Sequence, residues 1–263
     1  MNRVKLLALQ ALVMVVALAI WHLVTTTGLF GDVKTTQFFF STPIDVLART
    51  WKQLTGTDIY WHLGITLTET VLAFVIGSAA GILFGFAFAR NALLAAVFDP
   101  YIKAANALPR VVLAPIFALW FGLGIWSKVA LGFTLVFFIV FFNVYQGVRE
   151  VSPTVLANAR MLGMNERQLF KHVYWPSALT WMFSSLHTSV GFALVGAVVG
   201  EYLGSSAGLG YKIHEAESVF DVTGVFSGML ILALFVIAID SLVTMVERRL
   251  LVWRPGQSST TAT

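Results

Sequence analysis

The sequence predicts an all-α membrane protein: a six-transmembrane-helix bundle with the N- and C-termini cytoplasmic. Three observations lead there. Of 263 residues, 58% are hydrophobic and only 11% charged, whereas a soluble domain carries about 25% charged residues. The apolar residues fall in blocks, and ~20 such residues of helix cross a hydrocarbon layer about 30 Å thick. The cations, finally, gather on alternate connections between the blocks, which sets the orientation of the bundle.

The first span, about 6–26, follows Arg3 and Lys5. Its apolar run is long and no convincing small-x-small cleavage site follows it, so it reads as a retained helix rather than a signal peptide. Residues 27–62 are too many for a simple turn. Within them Pro43 precedes Val46, Leu47, Trp51 and Leu54 at helical spacing, the pattern of a short amphipathic helix lying in the membrane interface. The second span covers about 63–89, the third 104–122 and the fourth 125–146. Pro109, Pro115 and the run Phe121-Gly122-Leu123-Gly124 interrupt the third and fourth, with Lys128 close by. Proline is tolerated inside a membrane only where neighbours or water take up the freed carbonyls. The third span is therefore expected to be kinked and packed inside the bundle. The fifth covers 182–204 and the sixth 225–247.

Gly77, Gly81 and Gly85 recur every four residues in the second span, and Gly196, Gly200 and Gly204 in the fifth. Such strips let another helix backbone approach closely; which helices meet is not readable from spacing. The chain divides into 1–62 (first helix and external amphipathic segment), 63–253 (the core, with a loop at 147–181) and a small, polar tail at 254–263 expected to be disordered.

With a cytoplasmic N-terminus, Arg3, Lys5, Arg90, Lys103, Arg149, Arg160, Arg167, Lys171, Arg248, Arg249 and Arg254 all fall inside. Lys34, Arg49, Lys52, Lys128 and Lys212 fall outside, and Arg110 lies within a span. Flipping the bundle reverses this bias. The net charge of +4 thus belongs to topology and anionic headgroups, not to nucleic acid. The chain has no cysteine, which removes disulfides, thiol catalysis and thiolate metal sites. His22, His62, His172, His187 and His214 are scattered, with no pair on one helix face. No catalytic, cofactor-binding or metal residues are assigned, and no G-x-x-x-x-G-K-[ST] phosphate loop occurs.

The inner loop is the most informative segment. Ser152-Pro153 reads as a helix start, a capping hydroxyl followed by a proline where its missing N–H costs nothing. The helix 154–162 stops at Gly163. Asn165 reads as the cap of a second helix, 166 to about 174, before Pro176. Val155, Leu156, Ala159 and Leu162 are apolar, while Arg160, Arg167 and Lys171 are cationic. Two folded amphipathic helices on an inner surface imply a docking element.

This loop resembles the EAA motif of ABC importer permeases, whose pattern is Glu-Ala-Ala, three residues, Gly, nine residues, Ile, one residue, Leu-Pro. Here the matching positions are Ala157-Asn158-Ala159, Gly163, Val173 and Trp175-Pro176. Ala157 stands where the pattern has Glu, and neither Glu150 nor Glu166 occupies that place. Further blocks are similar to the nitrate/sulfonate/taurine-type branch over nearly the whole chain. They are Ser41-Thr42-Pro43, His62-Leu63, Ala107-Leu108-Pro109, Ala114-Pro115, Trp120 to Gly124 with Ser127-Lys128, Gly200-Glu201-Tyr202-Leu203-Gly204 and Gly208-Leu209-Gly210-Tyr211.

The resemblance implies the type I ABC importer permease fold in a bacterial inner (plasma) membrane. It implies a homodimer, two cytoplasmic ATP-binding subunits that use ATP and Mg, and an external (periplasmic) substrate-binding protein that delivers a small solute, expected to be an anion such as a sulfonate, nitrate or aromatic carboxylate, with a vitamin precursor as the alternative. The 157–176 residues named above, with Arg160, Arg167 and Lys171, would then be the ATPase-coupling loop.

Ionisable groups inside spans cost ~2.5–3.5 kcal/mol at a helix centre, which makes them functional candidates. Glu69, Arg110, His187, Glu201 and Asp240 are such groups. With Asn106 one turn from Arg110, and Pro109 and Pro115 nearby, Glu69, Arg110, His187 and Glu201 form the candidate pathway set. Competing readings are snorkelling for Arg110, a capping role for Glu201 beside the Gly204–Gly210 turn, packing for His187 and pairing for Asp240. Two other classes stay open. An ion-coupled secondary transporter or channel would use the intramembrane acids but needs no folded inner loop. A membrane-embedded enzyme would need converging histidines or carboxylates.

Overall fold

The computed structural model describes residues 3–28 and 31–250. Among these, every regular element is helical. The elements are α1 (Arg3–Thr27), α2 (Val33–Phe40), α3 (Pro43–Thr55), α4 (Asp58–Arg90), α5 (Ala92–Ala107), a 3-10 turn (Arg110–Leu113), α6 (Ala114–Phe121) and α7 (Ile125–Arg149). They continue with α8 (Pro153–Met161), α9 (Glu166–Leu169), a π turn (Phe170–Tyr174), α10 (Trp175–Leu203), α11 (Leu209–Ser218) and α12 (Val222–Leu250). The polar tail at 254–263, with Arg254, lies outside the described residues.

Among the described residues, five helices are individually long and apolar enough to cross a membrane, at Val4–Thr27, Asp58–Arg90, Ile125–Arg149, Trp181–Leu203 and Val222–Val246. Ala92–Ala107 and Arg110–Phe121, bent 89° at their junction, make a sixth when the pair is counted as one broken span. The sequence reading of one kinked helix over 104–122 is corrected here. Asn91 caps a separate helix by accepting the Leu94 N–H at 3.0 Å. Pro109, which cannot donate a backbone hydrogen bond, then sits at the junction with extended backbone.

The connection before the second span also differs in detail. It holds two helices, not one. Asp32 caps α2 through the Thr35 N–H; Thr42 caps α3 through the Asp45 N–H at 3.1 Å, with Pro43 in the first turn. Val46 and Thr50 of α3 are buried while Leu47 and Trp51 are exposed, as an interfacial helix demands.

The chain forms two compact units, Met1–Ile65 with Glu201–Leu234, and Thr66–Gly200 with Phe235–Thr263. In the first, the Trp21 indole N–H donates to the Phe40 carbonyl at 3.2 Å. Thr50 donates to Ser227 at 3.0 Å, and Arg49 pairs with Asp221 at 3.1 Å.

The second unit is organised on α7. Val136, Val140 and Val144, one per turn, face Gly77, Gly81 and Gly85 of α4. On another side of α7, Gly132 meets Gly196 of α10, and Gly200 lies against Lys128. The glycine strips thus mark where α4 and α10 each press on α7. The third glycine of the α10 strip, Gly204, falls just past the end of the helix. Val136, Val140, Val144 and Val148 join Ala73, Phe86, Ala178, Met182 and Ala193 in one buried cluster.

Candidate functional site

The loop between α7 and α10 is rigid by construction. Pro153 occupies the first turn of α8, but the Ser152 hydroxyl makes no capping bond, contrary to the sequence reading. The far end of α8 closes on Gly163 at φ +78°, with Gly163 N–H to Arg160 O at 2.9 Å and Met164 N–H to Ala159 O at 3.1 Å. That is a glycine-closed helix end, and its positive φ is why glycine stands there. Asn165 and Gln168 then form a reciprocal capping box, both bonds 2.9 Å.

The second loop helix does not stop at Pro176. After one α turn it widens into the π turn and runs on into α10. The Trp175 N–H reaches back five residues to Phe170 O. This looser turn accommodates a proline ring that would press on a normal helix backbone.

Ala157, Asn158, Arg160, Gly163, Arg167 and Lys171 are exposed and Ala159 is buried. Met161 and Leu162 at the tip are 85% and 80% exposed. The base of the loop is fixed. Phe170 and Trp175 pack on Phe86 with ring centroids 5.2 and 5.5 Å away, Val173 is partly buried, and Ser177 donates to Gly147 O at 3.0 Å. Glu166, whose pairing the sequence did not reveal, accepts from Arg90 at 2.8 Å and lies 3.9 Å from Arg160. Arg90 also sits over the rings of Phe170 and Tyr174.

The broken span brings Asn106 and Arg110 together as their spacing suggested. Arg110 Nη2 donates to Asn106 Oδ1 at 2.8 Å and to Asn106 O at 3.3 Å. Nη1 donates to the carbonyl of Thr134, and the guanidinium lies 4.3 Å from the Phe138 ring centroid. Arg110 is thus held against α7. Thr134 and Phe138 were missed because only folding brings α7 beside the break. Pro109 and Pro115 are both exposed, flanking it.

The remaining candidates do not join this corner. Glu69 is 1% exposed. His187 faces Asp240 at 3.7 Å, and the two share a cavity of about 190 Å³ with Val236 and Ile239. Glu201 is fully buried and accepts the Gly210 N–H at 2.7 Å, the capping contact weighed from the sequence. Outside the spans, burial lowers the Lys212 pKa, but the Glu215 hydrogen bond and the charges of Glu215 and Asp58 outweigh it, and the net direction is upward.

Comparison with known proteins adds to this geometry. Residues 77–252 match the family described as binding-protein-dependent transport system inner membrane component. The chain is 31% identical to a putative aliphatic sulfonates transport permease protein of Bacillus subtilis (strain 168), covering 91% of this chain and 85% of that one. It is 34% identical to a formylaminopyrimidine transport permease protein of Halalkalibacterium halodurans, covering 84% and 88%. Among solved structures it resembles a chain of the inward-facing MetNI methionine ABC transporter. The TM-score there is 0.56 at 16% identity, over 78% of this chain and 94% of that one, a likeness of fold.

Proposed function

The chain belongs to the binding-protein-dependent transport system inner membrane component family, the membrane-spanning permease subunits of ABC importers, and on that premise we propose how it works. Two copies form the translocation pathway, and two cytoplasmic ATP-binding subunits dock on their 153–174 loops. An external binding protein delivers a small anionic solute. Both termini lie in the cytoplasm, on the side of the loop. ATP and Mg are handled by the partner subunits.

The observation that carries this reading is the loop. Met161 and Leu162 project almost fully exposed from a turn locked by the Gly163 closure and the Asn165–Gln168 capping box. Exposed apolar side chains on a rigid element fit an apolar groove on a partner. Arg160, Arg167 and Lys171 around them supply charge for its rim. Closure of the ATP-binding subunits then moves the loop as a body, and α10, continuous with it, carries that motion into the membrane. The pathway opens to one side and then the other as the populations of two states shift. An ion-coupled transporter leaves this loop without a task.

Gly163→Pro tests it. Proline cannot adopt the φ of +78° at this position, so the substitution breaks the loop without touching a span. The wild-type chain, purified with its candidate ATP-binding subunit, is expected to form a complex that turns over ATP in liposomes. The variant should insert normally but lose binding or coupled turnover. A wild-type chain that never binds an ATPase, yet moves a solute down an ion gradient, would overturn the reading.

A further inference from the structure

Resting on the permease reading, we propose that the Asn106–Arg110 corner is an anion-coordinating step in the translocation pathway, a place where the oxyanion head of the solute is held in passing.

The argument begins with charge. The guanidinium of Arg110 is inside a broken membrane span, held by two carbonyls, one amide oxygen and one aromatic ring. None of these carries a negative charge. Among the described residues no carboxylate lies within ion-pair distance of it, whereas Arg49 and Arg90 each face one. A fixed cation inside a membrane without a counter-ion attracts an anion.

The second observation is what remains on offer. Arg110 Nε and one hydrogen of Nη1 have no partner among the described residues. Because Asn106 Oδ1 is occupied by Arg110, its Nδ2 is left with both hydrogens to give. The side-chain groups left free at the corner are therefore donors, in the fork geometry that suits a sulfonate, carboxylate or phosphate group.

The third is the break itself. Residues 104–109 are exposed, and the backbone leaves helical geometry at Leu108 and Pro109. The last carbonyls of α5 lose their helical partners there. At membrane depth such backbone is tolerated only against protein or a water-filled cavity, and discontinuous helices are where transporters commonly hold ions and solutes.

The absence of cysteine from the chain permits a clean test. Ala107→Cys, an exposed site between Asn106 and Arg110, is placed in the full complex in phosphatidylcholine liposomes. Its reaction is timed with two thiosulfonate reagents, one bearing an ethanesulfonate head and one a trimethylammonium head. Each rate is divided by that of free mercaptoethanol, and the assay is run at rest and with ATP plus vanadate. The anionic reagent is expected to be favoured about tenfold or more in at least one state. The preference should collapse to near unity in Arg110→Gln and survive partly in Arg110→Lys. Equal rates for the two reagents, or no reaction in either state, overturn the proposal without any Arg110 variant being needed.

Adding phosphatidylglycerol separates the two sources of an oxyanion. A preference that persists assigns the corner to solute. One that vanishes assigns it to a lipid headgroup and overturns the pathway role. Loss of ATPase docking with the preference intact would sink the loop-docking reading alone, so the two readings fail separately.

Discussion

Glu201 accepts the backbone N–H of Gly210 at 2.7 Å, and its carboxylate fills the space where a side chain on Gly208 would stand. Gly208 sits at φ +111°, and its own N–H donates to His62 Nδ1 at 3.0 Å. One buried acid thus fixes both the start of α11 and the glycine before it. Glu201→Ala should leave the Gly210 N–H buried and unbonded, at a cost of about 1–3 kcal/mol. Gly208→Ala should cost at least as much, since it adds a strained φ to the clash. Thermal unfolding in detergent measures both, and faster amide exchange over 204–212 in each variant would localise the damage.

The α4–α7 contact makes a second prediction. A methyl group on Gly81 would lie 2.8 Å from Val140 Cβ and 2.9 Å from the Phe137 carbonyl oxygen, and neither can retreat. Gly81→Ala should destabilise by about 1–3 kcal/mol through overpacking. Gly191 meets nothing within 4 Å, so Gly191→Ala should be neutral or stabilising by about 0.4–1 kcal/mol. Equal unfolding temperatures for the two variants would show that the strip is not a tight contact.

The spans were legible because a membrane-crossing helix writes itself as one long apolar block, and the loop because capping is local. Asn165 announces its cap and Gly163 its helix end; the Gln168 half of the capping box, three residues on, went unread. The break after Ala107 was not legible as a break. α5 and α6 are each too short to register as spans, and Pro109 alone suits a kink as well as a bend. Ser152 looked like a cap from residue type, yet capping needs a side-chain geometry that type does not specify. The Asn106–Arg110 pair lay within sight as neighbours one turn apart. Thr134, Phe138 and the Arg90–Glu166 bridge depend on contacts distant in sequence, which periodicity cannot supply.

Lys212 gives a pH dependence. It contacts Glu215 at 2.6 Å and Asp58 at 3.5 Å, and these carboxylates lift its pKa above the ordinary lysine value against the pull of burial. A group raised in the folded state stabilises fully below its unfolded pKa, ~10.4 for lysine, and loses that contribution as pH climbs through the folded value. The unfolding temperature of the wild type should therefore fall above about pH 10 by more than that of Lys212→Met. Parallel profiles for the two would remove Lys212 as the cause. The effect should be small, because Asp58 and Glu215 are exposed enough to be screened.

Glu166 makes the last prediction, and it separates stability from coupling. Its carboxylate joins Arg90, the final residue of α4, to Arg160 in α8. Arg90 also rests over Phe170 and Tyr174 at the base of the loop. An ion pair this exposed contributes only ~0–1 kcal/mol, so Glu166→Gln should barely move the unfolding temperature. The bridge's importance is positional: it is the ion pair that ties α8 and the start of α9 to the end of α4. Amide exchange over 153–169 should therefore rise severalfold, and ATP turnover coupled to transport should fall. Glu166→Lys should be worse than Gln, because it sets a third cation beside Arg90 and Arg160. Adding Arg90→Glu to that variant restores an opposite charge at the α4 end and should recover part of the coupling. Unchanged exchange in Glu166→Gln would mean that the capping box and the aromatic base hold the loop unaided.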